Sequence, residues 1–137
     1  MREILFKAKR ICDGEWVEGY YLRDQYHIGG KDIIFYRKDS DRFTVYTDRI
    51  DIETLCQFTG LTDKNGNKIW ENDIVLVSES VYSTVKFGLY HEALKSERTH
   101  QGFYLESMDN YYYREELGYW AKESVVVGNI FDNPELL

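Results

Sequence analysis

Glu71 and Asp73 come closest to a catalytic pair in this 137-residue sequence. The two acids precede the apolar run 74–77, and on a β-strand residues i and i+2 project to the same side. Such a pair could carry out general acid and base catalysis, although the sequence nominates no positioned histidine or lysine partner. Acids just before an apolar strand usually face solvent or hold a loop. We therefore predict no catalytic residue and a protein that is not an enzyme.

The segment around Asp63, Asn65 and Asn67 has the oxygen-rich composition of a calcium loop. In an EF-hand loop beginning at Asp63, glycine would occupy position 6 and glutamate position 12. The sequence instead places Gly66 at position 4 and Ile74 at position 12. We predict no calcium site in this segment.

Histidine and cysteine residues show no metal-binding spacing. The histidines are His27, His91 and His100, and the cysteines Cys12 and Cys56 lie 44 positions apart. His91 and His100 are expected to be exposed loop residues, and both cysteines to be reduced and buried. Because the sequence also has no glycine-rich phosphate loop, we expect no metal and no cofactor.

A run of aromatic residues towards the C-terminal end is the feature least explained by core formation. Six of them are the candidate interaction residues: Tyr104, Tyr111, Tyr112, Tyr113, Tyr119 and Trp120. Adjacent residues of an extended chain point to opposite faces, so at least one of the three consecutive tyrosines should be partly exposed. Three interpretations stay open: rings covering a sheet edge, an oligomer or partner interface, and stacking on single-stranded bases. Asp109, Glu115 and Glu116 disfavour the third, because they would repel phosphates.

Turn-forming dipeptides and β-branched or aromatic runs predict the elements that carry these residues. Asp13-Gly14 separates two extended segments, a polar turn over 37–42 separates two more, and Asn65-Gly66 is another strong turn signal. Aromatic residues make up 16% of the chain, and we expect five of them to fill the interior. These five are Phe6, Phe35, Phe43, Trp70 and Phe87.

Helical signals are short and weak. In residues 89–100, Leu89, Ala93 and Leu94 stand near helical spacing, which is compatible with one or two helical turns or with a loop. Residues 113–117, followed by Gly118, are typical of a single helical turn with a glycine stop.

Six residues of the central segment are predicted to be structural turn residues. They are Gly60, Asp63, Asn65, Gly66, Glu71 and Asp73. The alternative is a binding surface built on the turn 63–68, because functional residues favour turns held by a rigid scaffold.

The sequence LCQFTGLTDKNGNKIWENDIV over residues 55–75 resembles the central signature of the YopX family of phage and prophage proteins. Residues 1–6 and 14–20 resemble the family's opening, and residues 126–137 resemble its closing motif. Asn72 stands where the family usually has glycine. Asparagine is the next-best residue for a left-handed turn, so we expect the backbone shape to be kept.

The resemblance implies a mainly β protein with β-hairpins, an SH3-type small barrel in its C-terminal part and only short helical turns. We expect one YopX-like domain over residues 1–137, with the hairpins in about 1–54 and the barrel in about 55–137. The resemblance also implies a phage or prophage origin and a location in the host cytoplasm. It implies no reaction, because the family has no established activity to transfer.

Charge is spread unevenly along the chain, and this bears on its partners. The net charge is −7, but residues 1–10 carry a local +3 and residues 105–137 a local −5. With the tyrosine run, these ends predict a homo-oligomer, and a host or phage protein is a further candidate partner. The alternative is a nucleic-acid-binding small barrel that uses the basic N-terminal segment, which the negative net charge disfavours. Apolar runs of four or five residues predict no membrane contact.

Overall fold

Turn residues at the predicted positions divide the chain into short antiparallel strands. The structure is a computed structural model that describes residues 3–26, 30–92, 97–107 and 114–137. The strands found in these residues are β1 (Phe6–Lys9), β2 (Trp16–Asp24), β3 (Lys31–Lys38), β4 (Asp41–Arg49), β5 (Cys56–Thr62), β6 (Lys68–Trp70), β7 (Asp73–Val77), β8 (Val81–His91), β9 (Thr99–Glu106) and β10 (Ser124–Asn129). The mainly β class is confirmed.

Helical structure is short, as the sequence predicts. The α-helix α1 covers Leu117–Trp120, and 3-10 turns cover Ile52–Thr54, Ala121–Glu123 and Pro134–Leu136. None of the helices in the described ranges is long and apolar enough to cross a membrane.

The first compact unit, Met1–Phe58, is a sheet in the order β4-β3-β2-β1 with the beginning of β5 beside β1. Both predicted hairpins, β1–β2 and β3–β4, are present. One face of this sheet buries Ala8, Val17, Ile34 and Ile50. Beyond β4, Ile50 bridges to Arg10 just after β1, so the sheet bends around its own core.

The second compact unit, Thr59–Leu137, contains a sheet in the order β10-β7-β8-β9. The end of β5 and β6 flank the predicted Asn65-Gly66 turn, where Gly66 has a φ of 83°. The core of this unit comes from the strands and from α1 with the 3-10 turn after it. Its fully buried members are Ile69, Val75, Val77, Val85, Leu105, Leu117 and Ala121.

Several predictions about single residues and helical turns are wrong. Phe43 is 97% exposed and Phe87 is 49% exposed, whereas Trp70 is buried as expected. Cys12 is exposed, and only Cys56 is buried.

The helical segments also differ from those predicted. Of the residues 89–100, predicted as helical turns or a loop, 89–91 belong to β8 and 99–100 to β9, while 93–96 lie outside the described residues. Cross-strand pairing of His91 with Thr99 extends both strands beyond what local propensity indicates. The helical turn begins at Leu117 and includes Gly118 rather than stopping there.

Gly19 lies where strand β3 leaves no room for a side chain on β2. It is buried in the middle of β2, and a Cβ atom built there would lie 2.8 Å from the Ile34 Cγ2 atom and collide with the Phe35 carbonyl oxygen. Because the collision involves backbone, a small side-chain movement cannot relieve it.

We expect Gly19→Ala to lower the free energy of unfolding by about 2 kcal/mol, since the added methyl group overpacks the strand pair. Denaturant unfolding followed by circular dichroism measures this change. Gly102→Ala is the matched control, because its Cβ would lie 3.6 Å from the Tyr90 ring, an ordinary contact. Equal unfolding midpoints for the two variants would contradict the close approach.

Candidate functional site

The central signature turn is organised by the buried carboxylate of Asp63, which is 1% exposed. Its Oδ1 atom accepts hydrogen bonds from the backbone N–H groups of Asn65 and Asn67, both at 2.9 Å. Its Oδ2 atom accepts from the N–H of Val126 on β10 at 3.0 Å. Asp63 therefore closes its own turn and joins that turn to a strand more than sixty positions later.

The hydrogen bonds of Asp63 determine its charge state. Burial by itself would raise the pKa of this carboxyl group, but the three backbone N–H donors outweigh burial and lower it below the ordinary value. The group is thus a carboxylate at neutral pH. Its acceptor capacity is used by the backbone, which supports a structural role for the turn rather than a ligand site.

The predicted Asn72 turn has the expected left-handed backbone, with a φ of 69°. Its N–H donates to the Val85 carbonyl at 2.8 Å, and its own carbonyl accepts from the Ile130 N–H at 3.1 Å. Asn72 thus adopts the left-handed conformation that glycine adopts most readily.

Glu71 and Asp73 do not form the side-by-side pair considered for catalysis. Glu71 lies in the turn before β7, whereas Asp73 is the first residue of that strand and is 2% exposed. Asp73 Oδ2 accepts the Trp70 N–H at 2.8 Å, which holds the turn between β6 and β7. Within the described part of the chain, no group of three or more histidine, cysteine or acidic residues could hold a metal ion.

Tyr104 meets a second tyrosine, Tyr90, across the β8–β9 pair. Their ring centroids are 5.9 Å apart, and both side chains are half-buried. Gly88 and Gly102 face each other between them, so that a Cβ on either glycine would touch the tyrosine from the opposite strand. The two tyrosine rings therefore cover backbone that this pair of facing glycines would leave exposed.

The segment that precedes and forms α1 runs along the other edge of β9. Glu116 bridges to Tyr104, and the Trp120 Nε1–H donates to the Arg114 carbonyl at 2.7 Å. The Arg114 guanidinium lies 4.5 Å from the centre of the Tyr119 ring. The Trp120 ring contacts Tyr119 edge-on at 4.9 Å.

We call Tyr90, Tyr104, Arg114, Tyr119 and Trp120 the aromatic surface. Among these, Tyr119 is the most open, with 45% of its area exposed. Trp120 packs partly against the core of the second unit. Burial raises the pKa of Tyr90, and the nearby Glu116 carboxylate raises it further, so the phenol stays protonated at neutral pH.

The structure brings three of the six predicted interaction residues into one region. Tyr104, Tyr119 and Trp120 lie on β9 and α1, while the other three tyrosines, at positions 111–113, lie outside the described residues. Tyr90 and Arg114 were not predicted. Gly88 and Gly102 could have indicated that Tyr90 covers the facing strand. That inference requires the register of β8 with β9, which the sequence does not give.

Comparison with known families finds a match. The chain matches the family model described as YopX protein over residues 5–137. It is a member of the YopX family. No curated protein is significantly similar to it.

The closing motif of this YopX-family chain is an interlocked turn. Asn129 Oδ1 accepts from the N–H groups of Phe131 and Asp132 at 3.0 and 2.9 Å. The Asn133 N–H donates to the Asn129 carbonyl at 2.9 Å, and its side-chain oxygen accepts the Asn129 N–H at 3.2 Å. The motif thus serves to end β10.

We expect Asp63→Asn to destabilise the protein by about 2 kcal/mol at pH 7, because one buried acceptor is replaced by an amide donor facing backbone N–H groups. The folded pKa is depressed, so the stabilisation is present above the unfolded pKa of about 3.9 and is lost as pH falls through and below it. The difference between wild type and variant should therefore shrink below about pH 4.

Urea unfolding at several pH values between 3 and 7 measures this difference. Asp39→Asn is the control, since Asp39 is exposed in the β3–β4 turn and should change stability by less than about 0.5 kcal/mol. If the difference in unfolding free energy between wild type and Asp63→Asn does not change with pH, the buried Asp63 side chain does not stabilise the protein through its charge.

Proposed function

We propose that the protein is a non-enzymatic module that self-associates through the aromatic surface of its second unit. The exposed Tyr119 ring, held between the Arg114 guanidinium and Trp120, carries this proposal. A tyrosine already fixed in place loses little rotamer entropy on binding, and tyrosine, tryptophan and arginine are enriched among residues that dominate interface energies.

The distribution of charge supports the aromatic surface as the place where a second copy of the chain binds. The second unit has thirteen acidic and seven basic residues, so identical copies should repel each other over most of its surface. At the aromatic surface Arg114 and Glu116 lie together, with Nη2 and Oε2 3.3 Å apart and both side chains partly exposed. In a two-fold contact, Arg114 of one copy can pair with Glu116 of the other.

Family membership supports the biological setting. YopX proteins are phage-type proteins of poorly defined function. We further propose a phage or prophage origin for this chain and a site of action in the host cytoplasm. The SH3-type barrel is also a proposal, supported by the short antiparallel strands that share one core in the second unit.

Wild-type protein should form a dimer whose population grows between about 5 and 100 μM in sedimentation velocity. Tyr119→Ala should weaken the association at least about tenfold, the loss expected of a central interface aromatic. Tyr82→Ala is the matched control, because Tyr82 is 46% exposed on β8 and belongs to no part of the aromatic surface. Added salt should strengthen the dimer by screening the repulsion between copies of charge −7.

Two results would overturn self-association at this surface. One is a monomer at every concentration and salt condition. The other is an equal loss of association in the Tyr119→Ala and Tyr82→Ala variants, which would show that exposed aromatic area in general, and not this surface, drives the contact.

A further inference from the structure

The outward face of the first-unit sheet combines aromatic rings with basic side chains. Strand pairing places Lys9 beside Trp16 on β1 and β2, and Tyr20 beside Phe35 on β2 and β3. Directly paired residues share a face, and the core residues lie at the alternate positions. The face opposite the core therefore carries Lys7, Lys9, Trp16, Tyr20 and Phe35, which we call the platform. The same face carries the exposed Glu18, which pairs with Lys7.

Among the rings of the platform, Tyr20 is exposed, whereas Trp16 and Phe35 are partly buried. Tyr20 is 55% exposed, and its ring centroid lies 5.7 Å from that of Phe35. The Lys7 and Lys9 ammonium groups lie 4.7 and 5.5 Å from the Trp16 ring centre. Lysine side chains are long and flexible, so these ammonium groups can move from the ring to an incoming anion.

A cationic depression of about 530 Å³ adjoins one end of the same sheet, where β1 and β4 end and β3 begins. Its charged lining residues are Lys9, Arg10, Lys31, Asp32, Arg49 and Asp51. Four of these six are basic. Lys9 belongs both to the depression and to the platform, so the two are continuous.

The acids of the depression are already engaged. Asp32 accepts hydrogen bonds from the Tyr21 hydroxyl at 2.5 Å and from Arg23 at 2.9 Å. Asp51 accepts the Glu53 N–H at 3.1 Å and so begins the 3-10 turn. Asp32 also pairs with an arginine outside the depression, as Arg10 pairs with Asp13 at 2.5 Å and with Asp48 at 3.6 Å, and the four bases and two acids of the lining give it a formal charge of +2.

Two of the basic residues are available to a ligand. Lys31 and Arg49 form no ion pair with an acid in residues 3–26, 30–92, 97–107 and 114–137. Arg49 pairs with Ile33, two residues before Phe35, which places it on the face of the platform.

We propose that the platform and the cationic depression together bind single-stranded nucleic acid. Bases stack on Tyr20 and Phe35, and backbone phosphates lie against Lys9, Lys31 and Arg49. A ligand that alternates flat rings with negative charges fits both features, and a single strand leaves its bases free to stack. An acidic peptide would pair with the basic side chains but would offer no flat rings to stack on Tyr20 and Phe35.

The negative net charge of the protein does not prevent this binding. The first unit has ten basic and eleven acidic residues, so most of the −7 belongs to the second unit. The interaction is short-ranged at physiological salt, where charges beyond about 8 Å are screened. Affinity should nevertheless be modest and should fall steeply with salt.

Fluorescence anisotropy of the full chain with labelled 20-nucleotide oligo(dT) and oligo(U) tests the proposal. We expect micromolar binding at 50 mM salt, and weaker binding to a duplex of the same length and to heparin. Tyr20→Ala should weaken binding about five- to tenfold without changing the salt slope, whereas Tyr20→Phe should bind like wild type because it keeps the ring. Arg49→Ala should reduce the slope of log K against log salt by about 0.7.

Matched controls come from the same unit. Tyr26→Ala removes an aromatic ring that is 100% exposed but lies after β2, outside the sheet. Arg42→Ala removes an exposed arginine at the far end of β4 from Arg49. Both variants should bind like wild type, and circular dichroism should show all five variants folded.

Three results would overturn the proposal. They are no binding at 50 mM salt, equal affinity for heparin and for single strands with no effect of Tyr20→Ala, and equal losses in the test and control variants. The outcome is independent of self-association, because Tyr20→Ala leaves the aromatic surface intact and salt should act on the two equilibria in opposite directions.

Discussion

The buried carboxylate of Asp63 is the interaction on which the second unit depends. It joins the central turn to β10 through the Val126 N–H, and the adjacent Lys64 N–H donates to the Ser124 carbonyl at 3.0 Å. Strand β10 pairs with β7, and β7 pairs with β8. Strand β9 joins this sheet through β8, and α1 leads through the 3-10 turn Ala121–Glu123 directly into β10. The Asp63 carboxylate thus stabilises the sheet next to the aromatic surface without contacting that surface.

The strands and turns were predictable because their causes are local. Gly14 and Gly66 have the positive φ angles that their turn signals require, and Asn72 has the left-handed backbone expected of glycine's substitute. The exposure of Phe43 and Phe87 was not predictable, because β-propensity indicates a strand without saying how far the core extends along it. Both lie on strands where the sheet continues beyond its buried part.

The candidate surface shows the same division between local and non-local causes. Proximity in the sequence was enough to group Tyr119 with Trp120. The positions of Tyr90 and Arg114 depend on the register of β8 with β9 and on the bridge between Glu116 and Tyr104, and neither has a local signal. The role of Asp63 was partly visible, since an aspartate before an Asn-Gly turn often accepts backbone N–H groups. Its bond to Val126 was not, because that partner is distant in the sequence.

The tyrosines of the aromatic surface differ in what they can contribute to binding. Tyr90 and Tyr104 each lie over a glycine of the facing strand, so these rings already shield backbone hydrogen bonds in the free protein. Removing either ring would expose the backbone hydrogen bonds between β8 and β9. Such a variant would therefore change stability as well as any association. Tyr119 covers no such glycine and retains its accessible face. The sheet-covering interpretation of the aromatic run therefore applies to Tyr104, and the exposed ring that the proposed interface needs is Tyr119. The proposed association would therefore rest on Tyr119 rather than on the tyrosines of β8 and β9.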